Sequence, residues 1–240
     1  MVSALRKIRK KLLEQNRAQR YILYAIGEIV LVVIGILIAL QINTWNKEKQ
    51  NRVHEIVTLK NLKADLEIQK ELIKEQIDYE LAVIAQVDSA KHYVSDEANK
   101  AVLNRLFREL AARHTFKANR ATFNNMISGG SINLVRNEEL QNDVIRYFQR
   151  LDYVESVVNN NNLYMMDSNF GLFVANNGLG LEVDDNNEII STKIFNRREK
   201  ATVFAQLNYR LASSSSIKDI NKILLEVTNK LIKDIDDYIN

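Results

Sequence analysis

The stretch 21-YILYAIGEIVLVVIGILIALQINTW-45 decides how the rest of the chain is read. From Ile29 to Asn46 it holds no charged residue, and from Ile22 to Ile42 only Glu28 interrupts the apolar run. At the rise of an α-helix that run covers about 31 Å, the thickness of the hydrocarbon core of a bilayer. Tyr21 and Tyr24 stand at one end and Trp45 at the other, where interfacial aromatic anchors belong. A cleaved signal peptide is the rival reading, but the run is too long for one and no small-x-small cleavage site follows it. Residues 21–45 are therefore read as a retained transmembrane helix.

The charge pattern orients that helix. Residues 1–20 carry Arg6, Lys7, Arg9, Lys10, Lys11, Arg17 and Arg20 against Glu14 alone, +6 in a chain whose net charge is +3. The remainder is thus −3, and the basic total is no argument for a nucleic-acid partner. Positive charge beside a span sets topology and meets anionic lipid headgroups. The twenty residues after Asn43 hold five Lys or Arg, so the bias favours an N-terminus inside. The expected division is a basic cytoplasmic head over 1–20, the span over 21–45, and an exported part over 46–240. That part is periplasmic if the membrane is a bacterial inner membrane. Leu5, Ile8 and Leu12 fall at helical spacing in the head, which fits either an amphipathic helix on the inner leaflet or a basic tail.

An ionisable residue inside a span is costly, and such residues usually face protein or water. Glu28 lies one helical turn, about 5–6 Å, inside the interface that Tyr24 marks. Three roles are open for it: a protonated or snorkelling side chain near Arg20, a contact to a neighbouring helix, or a proton or ion relay. Gly35 and Ala39 form a small-x-x-x-small pair that lets helix backbones approach closely. Glu28, Gly35, Ala39 and Ile42 are spaced by seven, four and three, which keeps them on one face. That face is the candidate contact with another transmembrane helix.

The exported part reads as helical. The chain of 240 residues has no proline and seven glycines, as long uninterrupted helices require. From Asn46 to Val94, Leu59, Leu62, Leu66, Ile73, Ile77, Leu81, Ile84 and Val87 recur at steps of three, four and seven. No breaker separates this run from the span, so one helix should continue beyond the bilayer for about 70 Å. Ser95 is a candidate N-cap for a short helix to about Arg113, with Asp96 and Glu97 in its first turn. A further helix should end near Ile127, with a break at Ser128-Gly129-Gly130. The next begins at an Asn137 cap and buries Leu140, Val144, Phe148 and Leu151. It should reach about Val174, with a weak point at Asn159–Asn162 because asparagine is a poor helix former. A small β-hairpin or ordered loop is expected near 179–192. Two closing helices follow, near 197–212 and 216–239, with Ser213–Ser216 as the turn between them. Ile220, Leu224, Val227, Leu231 and Ile235 form the stripe of the second. The fold class is all-α: one N-terminal transmembrane helix continuing into a long helix and an antiparallel helical bundle. A coiled-coil stalk with a distal helical head, or a bundle completed by subunit exchange, is the alternative.

No catalytic constellation appears. The chain lacks cysteine, which removes disulfides, thiolate metal sites and cysteine nucleophiles. His54, His92 and His114 are scattered over different segments, and there is no phosphate-binding glycine loop, nucleophile elbow or dinucleotide fingerprint. Asp184, Asp185 and Glu188 invite a calcium reading, but the glycine of an EF-hand loop is missing and the distal glutamate is misplaced. Asp65, Glu67, Glu71 and Glu75 alternate with lysines and read as a solvated face. Tyr147, Phe148, Tyr153 and Tyr164 are expected to pack the bundle. No enzyme activity, cofactor, metal or small-molecule ligand is therefore expected.

The run 24-YAIGEIVLVVIGILIALQINTWN-46, behind a basic head, resembles the start of a domain-of-unknown-function family of small single-pass membrane proteins from Bacteroidota. The later block 122-TFNNMISGGSINLVRNEELQNDVIRYF-148 is similar to that family's second shared pattern, T-[FY]-x-x-[ML]-I-S-x-G-x-[IL]-x-L-[IV], with Gly130 at its glycine. Together the blocks cover about a fifth of the chain. The resemblance implies a bacterial inner-membrane location and supports the identity of the span, but it brings no activity. The leading expectation is a non-catalytic membrane subunit that assembles with a membrane-protein partner or with itself. A periplasmic sensor signalling through a partner and a Glu28-dependent ion or proton pathway are the other two classes.

Overall fold

The computed structural model describes Lys7 and residues 18–94, 100–180 and 195–240, with the side chains of 18–21, 100 and 101 left undescribed. The described residues form helices and connecting segments, with no strand among them. The helices are α1 (Ala18–Tyr93), α2 (Lys100–Leu110), α3 (Ala121–Ser128), α4 (Glu138–Asn161), α5 (Gly171–Asn176) and α6 (Arg197–Ile239). A 3₁₀ turn, Ser131–Leu134, follows α3, and a π-helix, Asn162–Phe170, joins α4 to α5. The Ser95 cap, the 179–192 hairpin beyond Gly180 and the Asp184–Glu188 cluster lie outside the described residues.

The chain divides into two compact units, Met1–His54 and Glu55–Asn240. In the first, α1 carries the apolar segment, whose side chains from Ile29 to Ile42 are exposed. By length and composition α1 is long and apolar enough to cross a membrane, and none of its most apolar window is buried inside the molecule. The absence of proline and the run of Ile, Leu and Val account for the 76-residue helix.

The second unit is an antiparallel bundle. Along α1 and α6 the partners run in opposite senses: Glu55 with Tyr238, Lys63 with Asp236, Glu80 with Arg210. Along α4 and α6 they do so again: Asp143 with Lys230, Tyr147 with Thr228, Asn161 with Ser213. Between α1 and α4 the chain returns through α2, a non-helical segment 111–120, α3 and the 3₁₀ turn. This return limb meets α1 at Gln86, Tyr79, Gln69, Asp65 and then Glu55, so it too is antiparallel to α1. The order is up, down, up, down, as in a four-helix bundle whose second limb is only partly helical.

A coiled-coil repeat sets the packing. In α1 Glu55, Leu59, Leu62, Leu66, Gln69, Ile73, Gln76, Glu80, Val83, Val87 and Ala90 are buried at alternating steps of three and four, with Ile77 buried beside Gln76. Leu81, expected on the stripe, is 45% exposed, because Glu80 occupies the inward position. In α6 the same alternation buries Val203, Leu207, Arg210, Ser214, Ile217, Asn221, Leu224, Thr228, Leu231 and Ile235.

α6 corrects the expectation of two closing helices. It is continuous through Ser213–Ser216, from a capping box at Asn196 and Glu199 to Ile239. Serine favours turns when its hydroxyl has only local backbone to bond. Here Ser213 donates to Asn161 Oδ1, and Ser214 accepts from Arg210 Nη1 at 2.5 Å. Ser213 has a partner on the neighbouring helix and Ser214 has the Arg210 side chain one turn back on its own, so neither hydroxyl competes for the backbone and the helix continues.

α4 starts where expected, with the Asn137 side chain accepting from Leu140 N at 3.0 Å and Glu138 and Glu139 in the first turn. Its buried series is Leu140, Val144, Tyr147, Leu151, Val154 and Val158. A regular continuation would next turn Met165 and Leu172 inward. The π-helix inserts its wider turn there, and Met166, Phe170 and Val174 are buried instead while Leu172 is 52% exposed. The asparagine tract thus ends the α-helix but not the helical path. Tyr147 and Phe148 pack the core as expected, whereas Tyr153 and Tyr164 are 61% and 65% exposed. They stand on the outward face of their helices.

Candidate functional site

Glu28, Gly35, Ala39 and Ile42 all lie on α1 in the first unit. Gly35, Ala39 and Ile42 are exposed and Glu28 is half-buried. A methyl group added at Gly35 would meet nothing within 4 Å. Tyr24 is half-buried and Trp45 is exposed, both on the same helix. Tyr21, Arg20 and Lys7 belong to helical segments, without side-chain description for Tyr21 and Arg20. Arg6, Arg9, Lys10, Lys11 and Arg17 lie outside the described residues.

Sequence reasoning missed two buried carboxylates in the second unit. The first is Glu55, 1% exposed at the start of the bundle. Its Oε1 accepts the Arg136 backbone N–H at 2.8 Å and the Tyr238 hydroxyl at 2.6 Å. The local sequence places Arg136 there. Gly130, at φ 68°, takes the left-handed conformation that lets the chain reverse after α3, and the 3₁₀ turn then delivers Val135 and Arg136 to α1. Asp65, read as part of a solvated face, instead accepts the Thr122 N–H at 2.8 Å and so caps α3 from another helix.

The second is Glu80, 2% exposed, at the centre of a polar layer. Gln76 Nε2 donates to Glu80 Oε1 at 2.9 Å, and Gln76 Oε1 faces His114 Nδ1 at 2.7 Å. An amide oxygen only accepts, so Nδ1 carries the hydrogen and the relay runs His114 to Gln76 to Glu80. Glu80 Oε2 is 3.9 Å from Arg210 Nη1 and makes no hydrogen bond at ordinary distance. Arg210, also 2% exposed, donates through Nε to the Leu110 carbonyl at 3.2 Å. Tyr79 donates to the Ala112 carbonyl at 2.8 Å and its ring lies 5.3 Å from that of His114.

Burial governs the charges in this layer. It pushes the Glu80 carboxyl above the usual range, while Ser214, Arg210, Gln76 and His114 favour the ionised form. It also lowers the Arg210 guanidinium, against the pull of Glu80 and Tyr79, and raises the Tyr79 phenol. Elsewhere in the core, burial raises the Tyr147 phenol to about 12. The asparagine tract serves the same level: Asn159 and Asn162 donate to the Phe116 and His114 carbonyls of the non-helical limb. Those carbonyls have no helix of their own to pair with, so the side chains replace the missing ladder. Among the described residues no group of three or more His, Asp or Glu is placed to hold a metal ion.

The class these features define is an all-α protein: an antiparallel bundle with heptad seams, on a first helix that bears an exposed apolar segment. Residues 28–197 match the model of a family of unknown function, DUF6090, and the chain belongs to that family. The match opens at Glu28, takes in α1 from there, α2, the corner at Gly130 and α4, and closes at the first residue of α6. No curated protein and no solved structure matches the chain.

Proposed function

We propose that the protein is a non-catalytic, single-pass membrane subunit, with its N-terminus in the cytoplasm and its bundle in the periplasm, that works by assembling with other membrane proteins or with copies of itself. One observation carries the reading. The apolar segment of α1 is exposed along its length, and Glu28, Gly35, Ala39 and Ile42 share one of its faces. An exposed surface of this extent needs lipid, protein or both. A strip of small residues beside an acid favours a helix neighbour over lipid alone. The basic head sets the proposed orientation, and the absence of a recognisable catalytic motif in the sequence favours a binding role.

Cross-linking in native membranes, followed by sizing in mild detergent, tests it. Glu28→Gln and Gly35→Leu should each weaken the cross-linked species without reducing the amount of chain in the membrane. An assembly unchanged in both variants rules out this face, and extraction of the native chain by alkaline carbonate rules out the span. Protease added to spheroplasts should degrade the bundle; protection would reverse the topology.

A further inference from the structure

Inside, the bundle is packed on two hydrophobic cores. The first is built on Leu59–Ile77, Phe148–Val158 and Ile217–Ile235, the second on Val83–Val94, Phe107, Met166–Val174 and Val203–Leu207. Outside, two of its faces carry charges in opposite order. One is the outward face of α1, where Lys60, Ala64, Ile68, Glu71 and Ala82 are exposed at steps of four, four, three and eleven, which hold one side of a helix. The other is the seam between α4 and α6, along which cavities open that are lined by those two helices and the Asn137 cap. Beside the cap a cavity of about 430 Å³ is acidic, with Glu139, Asp143, Asp234 and Asp237 around Lys230. A second, about 250 Å³, sets Tyr147, Val227 and Leu231 beside Arg146 and Arg150. A third, about 230 Å³, is lined by Val157, Met165, Tyr209 and Ala212 with Asn161 and Ser216.

We propose that the outward face of α1 in one copy docks in the α4–α6 seam of a second copy of this chain, so that copies in one membrane join head to tail. The inference rests on the single-pass reading, which gives all copies a common direction, and it names the partner in the assembly. The register of charges carries it. Lys60 and Glu71 are eleven residues apart on α1, and Glu139 and Arg150 are eleven apart on α4, about 16 Å in each case. The two helices run the same way in the bundle. With Lys60 of one copy set at Glu139 of the next, Glu71 therefore falls at Arg150. The same register brings Ile68, 55% exposed, to the cavity of Tyr147 and Val227, and Ala82 to that of Asn161 and Ala212. Glu75 and Asp78 fall beside the hydroxyls of Tyr153 and Ser216, which can donate to a carboxylate.

Neither face suits itself. A symmetric pair about an axis along the membrane normal sets equal levels side by side. Lys60 would then meet Lys60 and Glu71 meet Glu71, or the acidic cavity would meet its own copy, and like charges brought together oppose association. Among the described residues Lys60, Glu139 and Arg150 make no ion pair within the chain. Glu71 bonds Lys74 one turn on, an exposed pair of the kind that holds its partners weakly. Because the two docking surfaces differ, every copy offers both, and the contact repeats into a ring or a row.

The chain has no cysteine, so single cysteines can be placed on the full-length protein. Two differently tagged copies, one Lys60→Cys and one Glu139→Cys, are expressed together, and native membranes are treated with a short bis-maleimide. The product should join the two tags at about ten times the yield that either variant gives with itself, as unlike surfaces require. Without cysteines, Glu71→Lys and Arg150→Glu should each reduce co-precipitation of the two tags about tenfold, and both substitutions in one chain should restore it. Equal links from the single-cysteine variants overturn the head-to-tail contact. A double variant no better than the single ones overturns the register. Native tags that co-precipitate but give no mixed link strike this contact and leave assembly of the chain intact. Native tags that never co-precipitate overturn docking between copies and leave only assembly with other membrane proteins.

Discussion

Tyr238 donates its phenolic hydrogen to Glu55 Oε1 across 2.6 Å, joining residues 183 positions apart. The same oxygen accepts the Arg136 N–H, so one buried carboxylate closes α1, the approach to α4 and the end of α6. Glu55→Ala leaves a backbone donor and a phenol without their acceptor and should cost about 1–3 kcal/mol. Tyr238→Phe removes one neutral donor from a charged acceptor and should cost about 1–2 kcal/mol. Denaturant midpoints of the detergent-solubilised chain check both, and equal losses would mean that the Arg136 contact contributes nothing.

Gly171 sits where the π-helix returns to α. A Cβ there would stand 2.6 Å from the Met166 carbonyl oxygen, and backbone cannot swing aside as a side chain can. Gly171→Ala should destabilise by about 1–3 kcal/mol through the forced shift. Gly130→Ala meets no neighbour but must hold φ near +68°, and should cost about 1–2 kcal/mol. If Gly171→Ala is neutral by thermal unfolding, the π turn is not a fixed part of the fold.

Arg210→Met should destabilise at neutral pH by about 3 kcal/mol or more, because it leaves the Glu80 charge buried without a counter-charge. The double variant Glu80→Leu/Arg210→Met should recover most of that loss, since an apolar pair removes both desolvation costs. A double variant no more stable than the single one would show that the pair is not energetically linked. The comparison is made by equilibrium unfolding at one pH.

Stability should also depend on pH through Glu80. Burial holds its carboxyl above the ordinary range, so between that range and its folded value the native chain binds more protons than the unfolded chain. Stability therefore falls as pH rises through the window and is regained as pH falls toward the ordinary carboxylate range. Unfolding midpoints of the native chain should follow this slope, and those of Glu80→Gln should lose it. A native midpoint that rises with pH while that of Glu80→Gln is flat would reverse the assignment of burial as the dominant cause.

Leu151→Ala should cost about 2–5 kcal/mol, because the side chain is fully buried in the first core. Tyr164→Ala, at 65% exposure, should change stability by less than about 0.5 kcal/mol. Parallel denaturation curves separate the two, and a large loss at Tyr164 would mean that its ring is covered in the folded protein.

Much of the fold is legible in the sequence. The all-α class, the unbroken α1, the Asn137 cap and the break at Gly129-Gly130 follow from interactions within one turn of the chain. Leu140, Val144, Phe148 and Leu151 were readable for the same reason: a hydrophobic period needs no partner to be seen. The errors share a different cause. Gln69, Gln76 and Glu80 complete the α1 heptad but are polar, so a search for apolar spacing slid to Leu81. Ser213–Ser216 reads as a turn by composition, and the bond from Ser213 to Asn161 on the neighbouring helix is what the sequence does not show.

That Glu28, Gly35, Ala39 and Ile42 share one face needed only the sequence, because residues on one helix share a face by the helical angle alone. The sequence by itself thus determined the rods, their caps and the apolar segment at the start of α1, all of which depend on neighbours a few positions apart. Only the tertiary structure decided which polar side chains turn inward. The pairing of Glu55 with Tyr238 and of Glu80 with Arg210 depends on how two helices are set against each other, and a buried charge is tolerable only when a distant partner meets it there.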